Sequence, residues 1–337
     1  MRPLTETEKQ ERLPFPKWWP IVAGALLGVL LRLAYLGGAL LTPASEAVGP
    51  YGVMMGAFIY FAPLAVGAIT VYLAERQYRR TWGYYIVAGM SANALFAIGT
   101  MVALLEGIIC VIVVLPLFAM IGMVGSLIMG AVCRLTGWPK QAAYSFALLP
   151  LVLGAIEPTA NLPVRLRTIE RSVMVDAPRE VVWDQLMNVR DIRSEEVEDG
   201  IAFRIGVPPP VSALSANVDG QPVRRISMGK QVHFDQIETQ RRERQYIRWT
   251  QRFYPDSFPP GSFDEHVVMG GEYFDVDAVA YTLATEGSAT RLTLTMHYRV
   301  STRFNWYADA VARLVLGNLE EVLLGVYRQR SQALADA

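Results

Sequence analysis

The chain has 337 residues, 52% of them hydrophobic, with a mean hydropathy of +0.26 and 31 basic against 31 acidic side chains. Zero net charge excludes a general nucleic-acid binder, which needs a basic excess to neutralise phosphates. The apolar excess before residue 157 excludes an ordinary soluble protein, and two cysteines in apolar runs, Cys110 and Cys133, exclude a disulfide framework or a cysteine metal centre.

Residues 1–17 form a polar leader carrying Arg2, Lys9, Arg12 and Lys17. The apolar run over 18–41 is too long for a signal-peptide core and reads as a retained anchor, with Trp18 and Trp19 at the membrane interface. Further apolar runs cover 51–73, 84–105, 108–132 and 142–156. A helix needs about 20 apolar residues to cross ~30 Å of hydrocarbon, so the first four runs suffice and the last is short. Pro63 and Pro116 fall inside these helices and are expected to kink them. Arg32 lies deep in the first run, where a charge either reaches the headgroups or finds a partner. The amino-terminal region is therefore expected to be an all-α transmembrane helix bundle of about five spans, residues 18–157.

Basic residues mark one side of this bundle. The leader, the second connection (Arg76, Arg79, Arg80) and the fourth (Arg134, Lys140) carry them; the first, around Ser45 and Glu46, and the third, at Glu106, do not. The positive-inside rule then places the amino terminus in the cytoplasm, and five spans place the carboxy terminus outside it. A fifth run that does not cross reverses the latter placement.

Residues 158–167, including the Pro-flanked 158–163, read as a linker. After them the texture changes to alternation and turns. In 168–187, TIERSVMVDAPREVVWDQLM, Ile169, Val173 and Val175 share one face of an extended segment. Asp176 offers a helix cap and Pro178 suits a first helical turn, because its missing N–H has no partner there. Val182, Trp183 and Leu186 follow at helical spacing. The alternation in 291–300 is the clearest strand: Leu292, Leu294, Met296, Tyr298 and Val300 on one face, Arg291, Thr293, Thr295, His297 and Arg299 on the other. Strands are also expected at 201–205, 212–218, 223–228, 232–238, 245–253 and 272–283, with a final helix over 305–333. On that helix Val311, Val315, Leu319, Val322 and Val326 form an apolar stripe.

A strand entering a short helix through Asp-Ala-Pro resembles the start of a START-like domain, of the SRPBCC or polyketide cyclase/dehydrase and lipid-transport superfamily. Residues 168–337 match it in element order. The resemblance implies an α+β helix-grip domain, an antiparallel sheet wrapped around a long carboxy-terminal helix. It also implies that this helix grips a cavity for an apolar ligand. Because the superfamily hosts binders, carriers and enzymes, the fold alone does not choose among them. The segments 263–267 (FDEHV) and 304–308 (FNWYA) are similar to segments of bacterial membrane proteins of this build, which implies an inner-membrane location.

No phosphate-loop, dinucleotide, nucleophile-elbow or zinc-protease motif occurs. The candidate cavity residues are Ile247, Trp249, Tyr281, Leu292, Leu294, Met296, Tyr298, Phe304, Trp306, Val311, Val315, Leu319 and Val322. The bland reading of the same set is core packing. Asp264, Glu265 and His266 read as a loop at the cavity mouth or a plain surface loop; three consecutive residues do not converge on one ion, so no metal is expected. Nor is a cofactor or a catalytic residue. His297 reads as solvated on its polar face. Glu195, Glu196, Glu198 and Asp199 read as a solvated acidic run. Arg241, Arg242 and Arg244 read as an exposed turn or as contacts with anionic headgroups. The expected partners are the lipid bilayer and an apolar small molecule or lipid, with no nucleic acid. Binding such a ligand near the bilayer is the function these readings favour. A cyclase or dehydratase enzyme and a membrane interaction module are the alternatives.

Overall fold

An apolar segment away from water must close its backbone hydrogen bonds within itself, and the amino-terminal runs do so as helices. The computed structural model describes residues 16–40, 52–136, 139–157, 162–218, 220–263 and 266–336. The chain divides into two units, Met1–Leu162 and Pro163–Ala337. The leader before residue 16, the first connection around Ser45 and Glu46, and residues 158–161 of the expected linker lie outside the described residues.

The first unit holds α1 (Trp19–Leu40), α2 (Ala62–Glu75), α3 (Trp82–Val102), α4 (Ile108–Leu135) and α5 (Pro139–Ile156). Four helical segments are long and apolar enough to cross a membrane: Trp19–Gly38, Ala57–Glu75, Trp82–Val102 and Ile108–Leu135. The fifth helix, α5, is not among them, because Lys140, Gln141 and Pro150 dilute its 18 residues. Pro63 lies inside the helical segment Ala57–Glu75, where the π turn Ala57–Phe61 passes into α2. Pro116 lies within α4.

Small residues set the distances between these helices. A Cβ on Gly67 would come within 2.0 Å of the Gly122 carbonyl oxygen, and one on Gly125 within 2.1 Å of that of Leu64. The α2 and α4 backbones therefore touch, because small residues let two helices approach this closely. Ser126 donates to the Gly67 carbonyl at 3.0 Å, and Asn93 to that of Pro63 at 3.2 Å. Arg32 takes the structural-pair reading: its Nε meets Glu106 at 2.7 Å, and both side chains are largely buried. The Glu157 carboxylate accepts from the backbone N–H groups of Gly56 and Ala57, covering the orphan donors where the π turn begins. Glu75, Tyr85 and Arg134 bond to one another at the opposite helix ends. Large apolar side chains such as Leu30, Val87, Val124 and Leu148 face outward.

The second unit is an eight-stranded antiparallel sheet in the order β1-β8-β7-β6-β5-β4-β3-β2. Its strands are β1 (Val164–Val175), β2 (Asn188–Val189), β3 (Pro210–Val218), β4 (Gln221–Met228), β5 (His233–Arg242), β6 (Tyr246–Arg252), β7 (Phe274–Glu286) and β8 (Ala289–Ser301). Helix α6 (Arg179–Met187) and α7 (Ile201–Arg204) lie between β1 and β3, and α8 (Asn305–Ala335) closes the chain. Three local expectations fail. Residues 201–205 are helical, not extended, because Val197 and Gly200 turn the chain and their carbonyls take the following N–H groups. β1 opens at Val164, inside the stretch read as linker, because 164–167 already alternates apolar and basic residues. Asp176 does not cap α6; it accepts from Gln332 of α8 at 3.0 Å, and Pro178 takes the N-cap position.

The α2–α4 contact generates a test. Gly67→Val should destabilise the detergent-solubilised protein by about 1–3 kcal/mol or more, the usual cost of overpacking. Gly37→Ala, with nothing within 4 Å of its added Cβ, should leave the thermal unfolding midpoint unchanged.

Candidate ligand site

Register decides which side chains face α8. Leu294 pairs with Arg171 of β1 and with Tyr281 of β7, and Tyr281 pairs with Ile247 of β6. Facing residues on paired strands share a face, so Ile247, Trp249, Tyr281, Leu292, Leu294, Met296 and Tyr298 all line the inner side. All seven are buried in one cluster. His297 lies on the outer side, half-buried, with Thr168 Oγ1 2.9 Å from its Nδ1; burial, then Arg248, lowers its pKa.

The face that α8 turns inward is offset from the expected stripe. Leu316, Glu320, Leu324 and Tyr327 are buried, at spacings of four, four and three. Leu319 and Val322 flank this face, half-buried and packed on the cluster. Val311 and Val315 are half-buried, and Phe304 is buried at the start of the helix. Trp306 is 55% exposed, on the side of the helix away from the core. Asp264 and Glu265 lie outside the described residues. His266 is half-buried, its ring 6.0 Å from that of Tyr273. The described part of the same β6–β7 connection carries an aromatic run: Phe253 contacts Phe234, Phe258 contacts Phe253, and Phe263 contacts Phe258.

Polar groups that the sequence reading missed sit in this interior. Arg224 of β4 is 3% exposed, and the groups it bonds, Tyr327 and Gln236, are neutral. Its Nη2 donates to the Tyr327 hydroxyl at 2.5 Å and its Nη1 to Gln236 Oε1 at 3.3 Å. The guanidinium lies 5.0 Å from the centre of the Trp249 ring, and its buried Nε makes no hydrogen bond. Tyr281 meets Tyr327 edge-on at 5.8 Å. Burial first, then Tyr327, pushes the Tyr281 hydroxyl well above its usual value, against Arg224. Two turns before Tyr327, Glu320 is 0% exposed, and neither carboxylate oxygen has a hydrogen-bond partner. Burial pushes its pKa up to about 8, against the pull of Arg171 and of the Met296 backbone N–H, which faces it without hydrogen-bond geometry. An unpaired buried charge is far costlier than a neutral acid, so the proton stays.

Asp309, on the first turns of α8, behaves in the opposite way. Burial alone would raise its pKa, but hydrogen bonds from Arg313, Tyr298 and Arg167 and the Arg313 charge bring it below the usual value. The acidic run also divides. Glu196 pairs with Arg330 of α8 at 2.7 Å, and that bond, against burial, holds it down at about 2. Arg241 pairs with Glu238 and Glu243, and Arg244 with Glu180, so this basic turn is neutralised locally.

An open cleft of about 630 Å³ lies on the outer side of β4 and β5. Arg225, Ser227, His233, Asp235, Tyr254 and Asp256 line it. Its charges are mutually satisfied: Asp235 accepts from Arg225 at 3.2 Å and from Tyr254 at 2.8 Å. None of the sequence-derived candidates lies there. The unsatisfied Arg224 Nε and Glu320 carboxylate lie in the interior among the sequence-derived candidates, which makes it the candidate site.

The strand order, the short helices between β1 and β3 and the long final helix across the inner face decide the architecture. Residues 163–337 adopt the START-like helix-grip fold. Solved structures of this START-like type overlap it. One is a START superfamily protein from Mycobacterium smegmatis, at 16% identity over 48% of this chain and 97% of that one, TM-score 0.30. Others are the Zhui aromatase/cyclase from Streptomyces sp. R1128, at 17%, 50%, 98% and 0.28, and norcoclaurine synthase from Thalictrum flavum, at 8%, 53%, 99% and 0.30. Likeness at this level carries no assignment of activity. No protein-family model matches the chain, and no curated protein matches it.

The Glu320 pKa has a signed consequence. It is raised from 4.5 to about 8 on folding, so the folded state binds the extra proton between those values. The Glu320 contribution to stability should be full below about pH 4.5 and should be lost as pH rises through about 8. Glu320→Gln should flatten that part of the curve, read as the thermal midpoint against pH.

Proposed function

We propose that the START-like unit binds an apolar small molecule or lipid with an anionic or hydrogen-bond-accepting end, and that the helical unit anchors it in a membrane. The carrying observation is Arg224: a buried guanidinium bonded to neutral groups, with its Nε unsatisfied. A buried charge needs a partner, and a ligand carboxylate or carbonyl would supply it among apolar walls. Trp249, Tyr281, Leu294 and Met296 supply those walls. They are packed in this structure, so binding requires side chains or the Phe253–Phe258–Phe263 connection to move.

The second reading is acid–base catalysis of the cyclase type, which Glu320 favours. A carboxyl whose pKa stands near 8 is protonated at neutral pH and can donate. On the membrane side, four apolar helices and the basic ends at Arg76, Arg79, Arg80 and Arg134 support an inner-membrane anchor with a cytoplasmic amino terminus. If α5 crosses as well, the START-like unit lies outside the cytoplasm.

Two outcomes test this. The full chain should quench or enhance a fluorescent fatty acid, and Arg224→Met should weaken that binding by about tenfold or more, the loss of a charge-assisted bond. Equal binding by the variant removes Arg224 from the site. Reporter fusions after Ala337 should be active outside the cytoplasm; cytoplasmic activity would remove α5 as a span.

A further inference from the structure

The first strand and the start of the last helix meet at one end of the START-like unit. Asn305 of α8 donates to the Pro163 carbonyl, just before β1. Beside this junction three guanidinium groups converge on one oxygen of Asp309: Arg313 at 2.7 Å, Arg167 at 3.3 Å and Arg165 at 3.6 Å. The other oxygen accepts from Tyr298 at 2.9 Å. Residues 163–167 and 304–314 contain these three arginines and one acid, so two positive charges are in surplus. The carboxylate is 2% exposed, whereas the arginine side chains are 38%, 42% and 58% exposed. Asp309 thus orders the cluster from beneath and leaves its outer side to solvent.

The surroundings indicate what an anion there would be attached to. Trp306 and Leu314, 55% and 63% exposed, lie on α8 to either side of the Asp309–Arg313 turn. Tryptophan with an apolar body and a polar N–H, beside arginines, is the composition of a bilayer interface. A tether of seven residues, 157–163, ~25 Å at full extension, joins β1 to α5. A free phosphate would use the arginines but not the exposed Trp306 and Leu314. The Arg241–Arg244 turn, whose charges are taken by local acids, lacks this surplus.

We infer that Arg165, Arg167 and Arg313, with Trp306 and Leu314, form a docking surface for anionic phospholipid headgroups. This rests on the reading that the helical unit sits in a membrane. The surface holds the START-like unit against the bilayer, with the phosphates on the arginines and Trp306 at headgroup depth.

The test uses the full chain in nanodiscs of brominated phosphatidylcholine alone, or mixed with brominated phosphatidylglycerol. The Trp306 contribution is the wild-type fluorescence less that of Trp306→Phe. It should be quenched in the mixture and not in phosphatidylcholine, and high salt should reverse it without any substitution. Arg165→Gln and Arg313→Gln should each shift docking about fivefold towards the undocked state, the share of one arginine at an anionic surface. Equal quenching in both lipids, or none in either, overturns the inference. Recovery on adding inorganic phosphate at constant ionic strength overturns it in favour of a free-phosphate site. Quenching of the remaining tryptophans, Trp18 included, reports insertion separately. Its absence overturns the membrane reading, and the docking surface with it.

Discussion

The START-like unit depends on how α8 lies on the sheet. Leu316 and Leu324 bury against β1 and β8 and the elements beside them, each stabilising by roughly 1.5–3 kcal/mol. Gly317 lets the helix approach β1, because a Cβ there would already lie 3.3 Å from Ile169 Cδ1. Against these terms stands Glu320 on the same face. Keeping a carboxyl protonated at neutral pH costs about 3 kcal/mol relative to water, at ~1.4 kcal/mol per pKa unit. The two leucines cover that cost, so the helix stays down with the acid neutral beneath it.

Much of this architecture is legible in the sequence, and the illegible parts have physical reasons. The period-two alternation of 291–300 reveals β8 and its inner row because apolar and polar residues separate cleanly there. The alternation of β4 fails at the residue that matters. Arg224 falls in the row of Pro222, Ile226 and Met228 and Arg225 in that of Gln221, Val223 and Ser227, so the arginine in the more apolar row is the buried one, but a charge there reads as a break in the pattern. On α8 the valines make a tidy stripe, but the true inner face is interrupted by Asp309, Glu320 and Tyr327. A hydrophobic count penalises that face. The signal present was Glu320 midway between Leu316 and Leu324, a polar residue four positions from a leucine on either side.

The helical unit shows the converse. Hydropathy locates its helices but ranks glycine as nearly neutral, so it misses Gly67, Gly122 and Gly125, where backbones meet. Pairing is equally invisible to hydropathy. Arg32 and Glu106 are 74 residues apart in sequence yet bond at 2.7 Å. Arg32 in an apolar run pointed either to headgroups or to a partner, and nothing local in the sequence chose Glu106.

The polar residues of α8 form a sequence of electrostatic states along one helix. Asp309 is ionised under three arginines, Glu320 is neutral among apolar groups, and Tyr327 bonds the buried cation Arg224. At 1.5 Å per residue the first two lie about 16 Å apart and the last two about 10 Å. The spacing matters because the two carboxyls would otherwise share a fate. Near the arginines Glu320 would ionise; without them Asp309 would take up a proton and release its hold on Arg165, Arg167 and Arg313. Separating them by three turns lets one end of the helix order charges towards the surface while the middle stays neutral. The far end keeps a cation whose partner is still to be supplied. Under the proposed function, an apolar molecule with one anionic end would take a single orientation, its charge at Arg224 and its length along the Glu320 turn. The opposite orientation would leave its charge beside a carboxyl that it would drive further towards protonation, and Arg224 without a counter-charge.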